Sequence, residues 1–136
     1  MAAPVAHLNR EPSGTLAYVR HEGRGPGLVW LGGFNSTMDG NKARALDAWA
    51  QQTGRAFVRF DYYAHGQSSG DWNQATVGRW REDALAVIDQ LTEGPQVLVG
   101  SSMGGWIALL AALARPDRVK ALVLVAPAAD FTETLM

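Results

Sequence analysis

Three features of the sequence predict an α/β layered domain, with a mostly parallel sheet covered by helices on both faces. Nearly continuous apolar runs recur at Gly27–Leu31, Ala56–Asp61, Gln96–Gly100 and Ala121–Ala126, the pattern of strands buried on two sides. Helical stretches alternate with these runs, so successive strands are expected to join through right-handed crossovers. Two further β-type runs, Val5–Arg10 and Thr15–Arg20, come first and suit an antiparallel start.

In Lys42–Gln52 the positions Ala45, Leu46, Trp49 and Ala50 share a helical face, and Gly54 supplies a C-terminal stop. In Thr76–Leu91 the residues Val77, Trp80, Ala84, Leu85, Ile88 and Leu91 keep the helical period, and Arg79, Glu82, Asp83 and Asp89 are expected to face water. Met103–Ala114 is apolar almost all round and stops at Arg115–Pro116, where proline blocks continuation. It is expected to be the most buried helix. With no repeat, low-complexity tract or linker, residues 1–136 read as one domain.

At 136 residues and 47% hydrophobic content the chain can bury one sizeable core. Its net charge of −1, from 12 basic and 13 acidic side chains, offers no surplus for gripping nucleic acid or an anionic membrane surface. The absence of cysteine excludes a disulfide scaffold, a thiolate nucleophile and sulfur-ligated zinc. No metal or other cofactor is expected. Met1–Gly14 lacks a continuous apolar stretch and carries Asn9, Arg10 and Glu11, so it does not read as a secretory signal. No run approaches the roughly 20 apolar residues of a membrane span, and a cytoplasmic protein is expected.

The segment Gln96-Val97-Leu98-Val99-Gly100-Ser101-Ser102-Met103-Gly104-Gly105-Trp106 runs from a buried strand through Gly-x-Ser-x-Gly into a helix. A serine at the apex of so sharp a turn is held in strained backbone angles that expose its hydroxyl. The residues two before and two after must be small, as Gly100 and Gly104 are. Ser102 is thus a candidate nucleophile, and the amide of Met103, at a helix N-terminus, a candidate donor to a developing oxyanion. The bland alternative is a tight strand-to-helix loop.

A second donor is expected from the loop after an earlier strand. Leu28-Val29-Trp30-Leu31-Gly32-Gly33-Phe34-Asn35 has that form, with two glycines that let the backbone curl inward before the Phe34 amide. The competing reading is a glycine turn leading into a helix. No Gly-Lys-Ser/Thr follows, and a third glycine is missing, so neither a phosphate loop nor a dinucleotide fingerprint is present. His65, in Asp61-Tyr62-Tyr63-Ala64-His65-Gly66-Gln67-Ser68, precedes the serine in a turn-forming stretch, where a histidine more often orients a loop than acts as a base. Trp72, Trp80 and Trp106 fit core packing better than a stacking platform, and Arg79-Trp80-Arg81 reads less as a basic patch than as Trp80 in the buried stripe with arginine neighbours facing solvent.

The segments Leu31–Met38, Arg59–Tyr62, His65–Ser68, Leu91–Pro95 and Gly100–Trp106 resemble the α/β-hydrolase superfamily, within it the branch of depalmitoylating and acyl-glucuronide esterases with its bacterial relatives. The resemblance runs from about Gly27 onward. It implies that Ser102 is the nucleophile, that the amides of Phe34 and Met103 form the oxyanion hole, and that His65 is not the triad base. Ala64 stands where the family pattern has glycine. The resemblance further implies a sheet truncated after about the sixth strand. The triad acid and base, the lid and the last two strands would then lie beyond Met136, since no histidine follows Ser102. A minority arrangement would make Asp130 the acid. The implied function is a serine hydrolase of carboxylic esters or thioesters, working through an acyl-serine and weakly active or inactive as this chain. A non-catalytic ligand- or partner-binding relative is the alternative. The outer edge of Ala121–Ala126 would lack a neighbour, which suits a homodimer formed edge to edge.

Overall fold

A computed structural model describes residues 3–10 and 14–125, so Asp130 lies outside the described residues. Six strands, β1 (Ala6–Asn9), β2 (Thr15–His21), β3 (Arg24–Leu31), β4 (Arg55–Phe60), β5 (Gln96–Ser101) and β6 (Val119–Val125), form one sheet in the spatial order β1-β2-β4-β3-β5-β6. β1 pairs antiparallel with β2 and β2 with β4, whereas β4, β3, β5 and β6 are parallel neighbours. Among the described residues three helices connect them, α1 (Asn41–Thr53), α2 (Val77–Leu91) and α3 (Met103–Ala114), with one 3₁₀ turn at Trp72–Gln74. β3 starts at Arg24 rather than Gly27, because pairing with β4 continues past Pro26 through a register shift between Arg24 and Leu28.

Alternation along the strands divides the core in two. Leu28, Trp30, Phe57 and Val99 pack on one face of the sheet against Ala43 and Ala50 of α1. Val29, Leu31, Val58, Phe60 and Leu98 point to the other face, against α2 through Trp80, Ala84 and Ile88 and α3 through Met103, Ile107 and Ala108. The helix ends follow local chemistry. Gly54 closes α1 with φ 69°, and Thr76 caps α2 by accepting the Arg79 N–H at 3.1 Å. Among the described residues no helix is long and apolar enough to cross a membrane.

Three expectations from the periodicity are corrected. In α1 the buried face is Ala43, Asp47 and Ala50, while Trp49 is 47% exposed. Asp47 turns inward because three side chains meet it: Arg59 Nε at 2.6 Å, Gln51 Nε2 at 2.7 Å and His21 Nε2 at 2.7 Å. Burial works to raise its carboxyl, but the hydrogen bonds and neighbouring charges more than reverse this and hold it below the usual range. In α2 Asp83 does not face water. It is buried and accepts the Tyr63 N–H at 2.7 Å, with Arg10 Nη2 at 3.7 Å. Burial pushes its carboxyl up to about 6.

The third correction concerns α3, which buries only the side carrying Met103, Gly104, Gly105, Ile107, Ala108 and Ala111, while Leu113 is 80% exposed. Among the described residues β6 is covered on one face only, where Leu122 and Leu124 pack against the core. β6 is the sheet's edge, with Val123 and Val125 exposed.

Candidate active site

Strand order reverses at β3. From its end the chain passes through α1 to β4 on one side, then through α2 to β5 on the other. Loops leaving neighbouring strands at such a point diverge and open a crevice at their carboxyl ends. Here those loops are the stretch from Gly32 to Gly40 and the turn at Ser102.

β5 enters α3 with Ser102 as the single hinge residue, at φ 56° and ψ −121°. Such a conformation costs a non-glycine residue about 1–3 kcal/mol, and it persists because the surrounding backbone fixes it. The Ser102 N–H donates to the Val125 carbonyl at 3.0 Å, and its carbonyl accepts the Gly105 N–H at 2.9 Å. Ser102 is exposed, its side chain does not cap α3, and Ser101 beside it is buried. The flanking glycines are needed for space. A Cβ at Gly100 would lie 2.7 Å from the Gly105 nitrogen, and one at Gly104 2.6 Å from the Gly32 carbonyl oxygen. Met103, fully buried, is the first residue of α3, so its amide sits at the positive end of the helix.

The β3 loop lies directly against this turn. A Cβ built at Gly33 would be 3.4 Å from Ser102 Cβ, an ordinary contact. The Ser36 N–H donates to the Gly33 carbonyl at 3.1 Å, closing a β-turn whose central residues are Phe34 and Asn35. Asn35 has φ 57°, which asparagine tolerates better than other side chains. Gly32, Gly33, Phe34, Ser101 and Ser102 line one cavity of about 440 Å³, closed on another side by the start of α1. The structure thus brings Ser102 and Phe34 together, with Met103 next in chain. A larger cavity of about 580 Å³ opens at the opposite end of the sheet, around Gly27, Ala56 and Gln96, and no serine lines it. The smaller cavity, at the strands' carboxyl ends, is the one that Ser102 lines.

Side chains from the end of β4 grip the β3 loop, a role that the apolar pattern did not reveal. Tyr62 Oη donates to the Gly32 carbonyl at 3.0 Å, Asp61 Oδ1 accepts the Met38 N–H at 2.7 Å, and Arg59 Nη1 donates to the Met38 carbonyl at 2.7 Å. Burial raises the Asp61 carboxyl, opposed by the N–H groups of Gln67 and Met38 that it accepts. The available signal was Arg59 and Asp61 themselves, two charged residues in an otherwise buried run. His65 is buried, with Nδ1 3.0 Å from the Tyr63 carbonyl and Nε2 3.0 Å from the Asn35 nitrogen. Trp80 is in the core, but Trp72 departs from the expected core packing. Carried on the 3₁₀ turn, it is 45% exposed and stands edge-on to Phe34 at 5.4 Å.

Residues 28–135 match the family model described as serine aminopeptidase, S33. The mouse palmitoyl-protein thioesterase ABHD10, mitochondrial, is 48% identical over 128 residues, which is 94% of this chain and 43% of that protein. The chain therefore spans about two fifths of the length of such relatives. Among solved structures, alpha/beta hydrolase domain-containing protein 10 from mouse aligns with a TM-score of 0.94 at 47% identity, covering 97% of this chain and 53% of that one. A putative hydrolase from Agrobacterium vitis S4 aligns with a TM-score of 0.85 at 35% identity, covering 98% of this chain and 56% of that one. The cytoplasmic expectation is corrected by these relatives, since the mouse, cattle and human proteins are all named as mitochondrial. Composition and the pattern of Met1–Gly14 could not separate the two compartments. The fold is that of the α/β hydrolases, and the chain belongs to the serine aminopeptidase S33 family within it.

Proposed function

We propose that this chain carries the nucleophile and oxyanion hole of a serine hydrolase that cleaves acyl thioesters or esters. The observation that carries the reading is Ser102, exposed at φ 56° between β5 and α3, with the Gly33–Phe34 loop in contact range. A base removes the Ser102 hydroxyl proton as Oγ attacks the acyl carbonyl carbon. The carbonyl oxygen becomes an oxyanion, held by the N–H groups of Phe34 and Met103. Collapse breaks the bond to sulfur or oxygen, and the leaving group takes the proton back from the base. Water then cleaves the acyl-serine to a carboxylic acid and free Ser102.

None of the three histidines here is assigned as that base. His7 lies on β1, His21 faces Asp47, and both ring nitrogens of His65 are engaged. The 136-residue chain by itself is therefore expected to turn over poorly, because triad members act as a unit. The exposed edge-to-face pair Phe34 and Trp72 supports an apolar acyl group beside the serine. Relatives named as palmitoyl-protein thioesterases support a thioester. The test is hydrolysis of a chain-length series of acyl thioesters by the full-length protein and its Ser102→Ala variant. A loss of at least ~10³-fold in kcat/KM in the variant is expected. Equal rates would leave a non-catalytic binding protein of the same fold.

A further inference from the structure

We propose that His65 is a positioning residue for the oxyanion hole, holding the Phe34 amide in place through the next residue, Asn35. The inference rests on the hydrolase reading above. Its basis is the hydrogen-bond pattern of a ring that is 3% exposed. The Asn35 backbone N–H can only donate, so His65 Nε2, 3.0 Å away, accepts and carries no proton. A neutral imidazole then has its proton on Nδ1, where the Tyr63 carbonyl at 3.0 Å is the acceptor. One ring thus ties the β4 loop to the loop after β3 in a single tautomer.

The point of attachment matters more than its existence. Asn35 is the second central residue of the Gly33–Ser36 turn and is held at φ 57°. Fixing its N–H fixes the plane of the peptide that follows Phe34, so the Phe34 backbone is pinned between that peptide and Gly33, where an added Cβ would lie 3.4 Å from Ser102 Cβ. The other grips on this loop, at Gly32 and at Met38, are two and four residues from Phe34. His65 alone among them acts on the adjoining residue. Its ring is itself locked by Trp80, edge-on at 5.1 Å, by Tyr62, edge-on at 5.6 Å, and by Trp72 at 5.4 Å. A hydrogen-bonded orienter needs such a fixed rotamer if it is to place a donor within a fraction of an ångström.

The test compares His65→Gln, whose side-chain oxygen can still accept the Asn35 N–H, with His65→Leu, which fills similar space and accepts nothing. In the full-length protein the measured quantity is the second-order rate of Ser102 phosphonylation by a fluorophosphonate, in which Oγ attacks phosphorus and fluoride leaves, taken well below the thermal midpoint of each variant. We expect His65→Leu to be slower by roughly 10- to 100-fold, approaching the loss of one oxyanion donor. His65→Gln should stay within about threefold of wild type. A folded His65→Leu protein phosphonylated at the wild-type rate overturns the inference, as does a His65→Gln variant as slow as His65→Leu. Absence of Ser102 labelling in the wild type would instead overturn the hydrolase reading, and this inference with it. A readout independent of activity is long-range ¹H–¹⁵N NMR of the His65 ring. Protonated Nδ1 and bare Nε2 are expected, and the opposite tautomer would refute the proposed grip even if His65→Leu failed to fold.

Discussion

At Gly104 a single methyl group decides between fold and clash, because the neighbour it would meet is the backbone at the end of β3 and not a side chain that could swing away. Gly104→Ala is therefore expected to destabilise by ~1–3 kcal/mol or more, seen as a lower urea midpoint at unchanged slope. Asp83 yields a pH prediction. Its carboxyl titrates at about 6 in the fold against 3.8 ordinarily, so between those values the folded state holds the proton more tightly. Stability then falls as pH rises through that window, and the cost is complete above about 6. Asp83→Asn removes the charge and keeps an oxygen for the Tyr63 N–H. Relative to wild type it should gain up to ~3 kcal/mol on going from about pH 4 to pH 7, and a difference that does not change with pH would contradict this. Ser102 was legible in the sequence because strand, turn and helix constrain one another within eleven residues. Asp83 was not, since its partner is a backbone N–H twenty residues earlier that has no side-chain signature.

Among the elements, α1 shows how periodicity misleads. Apolar residues alone favoured a face containing Trp49, yet the face that packs contains Asp47, whose partners Arg59 and His21 come from β4 and β2. Among the described residues, removing Asp47 leaves Arg59 only the partly exposed Asp39, at 3.0 Å, as a counter-charge. Asp47→Ala is accordingly expected to cost about 3 kcal/mol, the low end for breaking a buried pair, against about 1 kcal/mol for the exposed cap change Thr76→Ala. Denaturant titrations of the two variants would check the order, and equal losses would mean that the Asp47–Arg59 pair contributes little. Strand and helix identities were readable from local pattern, and most ends fell within a residue or two. The 3₁₀ turn at Trp72–Gln74 was not readable, because three residues held by an Asp71 side-chain hydrogen bond leave no period to detect.

For the whole molecule, the parallel order of β4, β3, β5 and β6 places the two loops of the site side by side, and this order follows from topology that no local segment encodes. The same order leaves β6 as an edge with Val123 and Val125 exposed and Leu113 of α3 beside it uncovered. Unpaired, apolar edges recruit partners. The isolated 136-residue chain is expected to associate, so light scattering should report dimers or larger species, whereas a monodisperse, cooperatively unfolding monomer would contradict this. Residue, element and sheet meet at the strained serine between β5 and α3. The direct measurement is mass-spectrometric mapping of the full-length protein after brief exposure to a fluorophosphonate. A single adduct on the peptide containing Ser102, lost on prior heat denaturation, is the expected result. An unmodified Ser102, or an adduct on Ser101 in its place, would contradict the account.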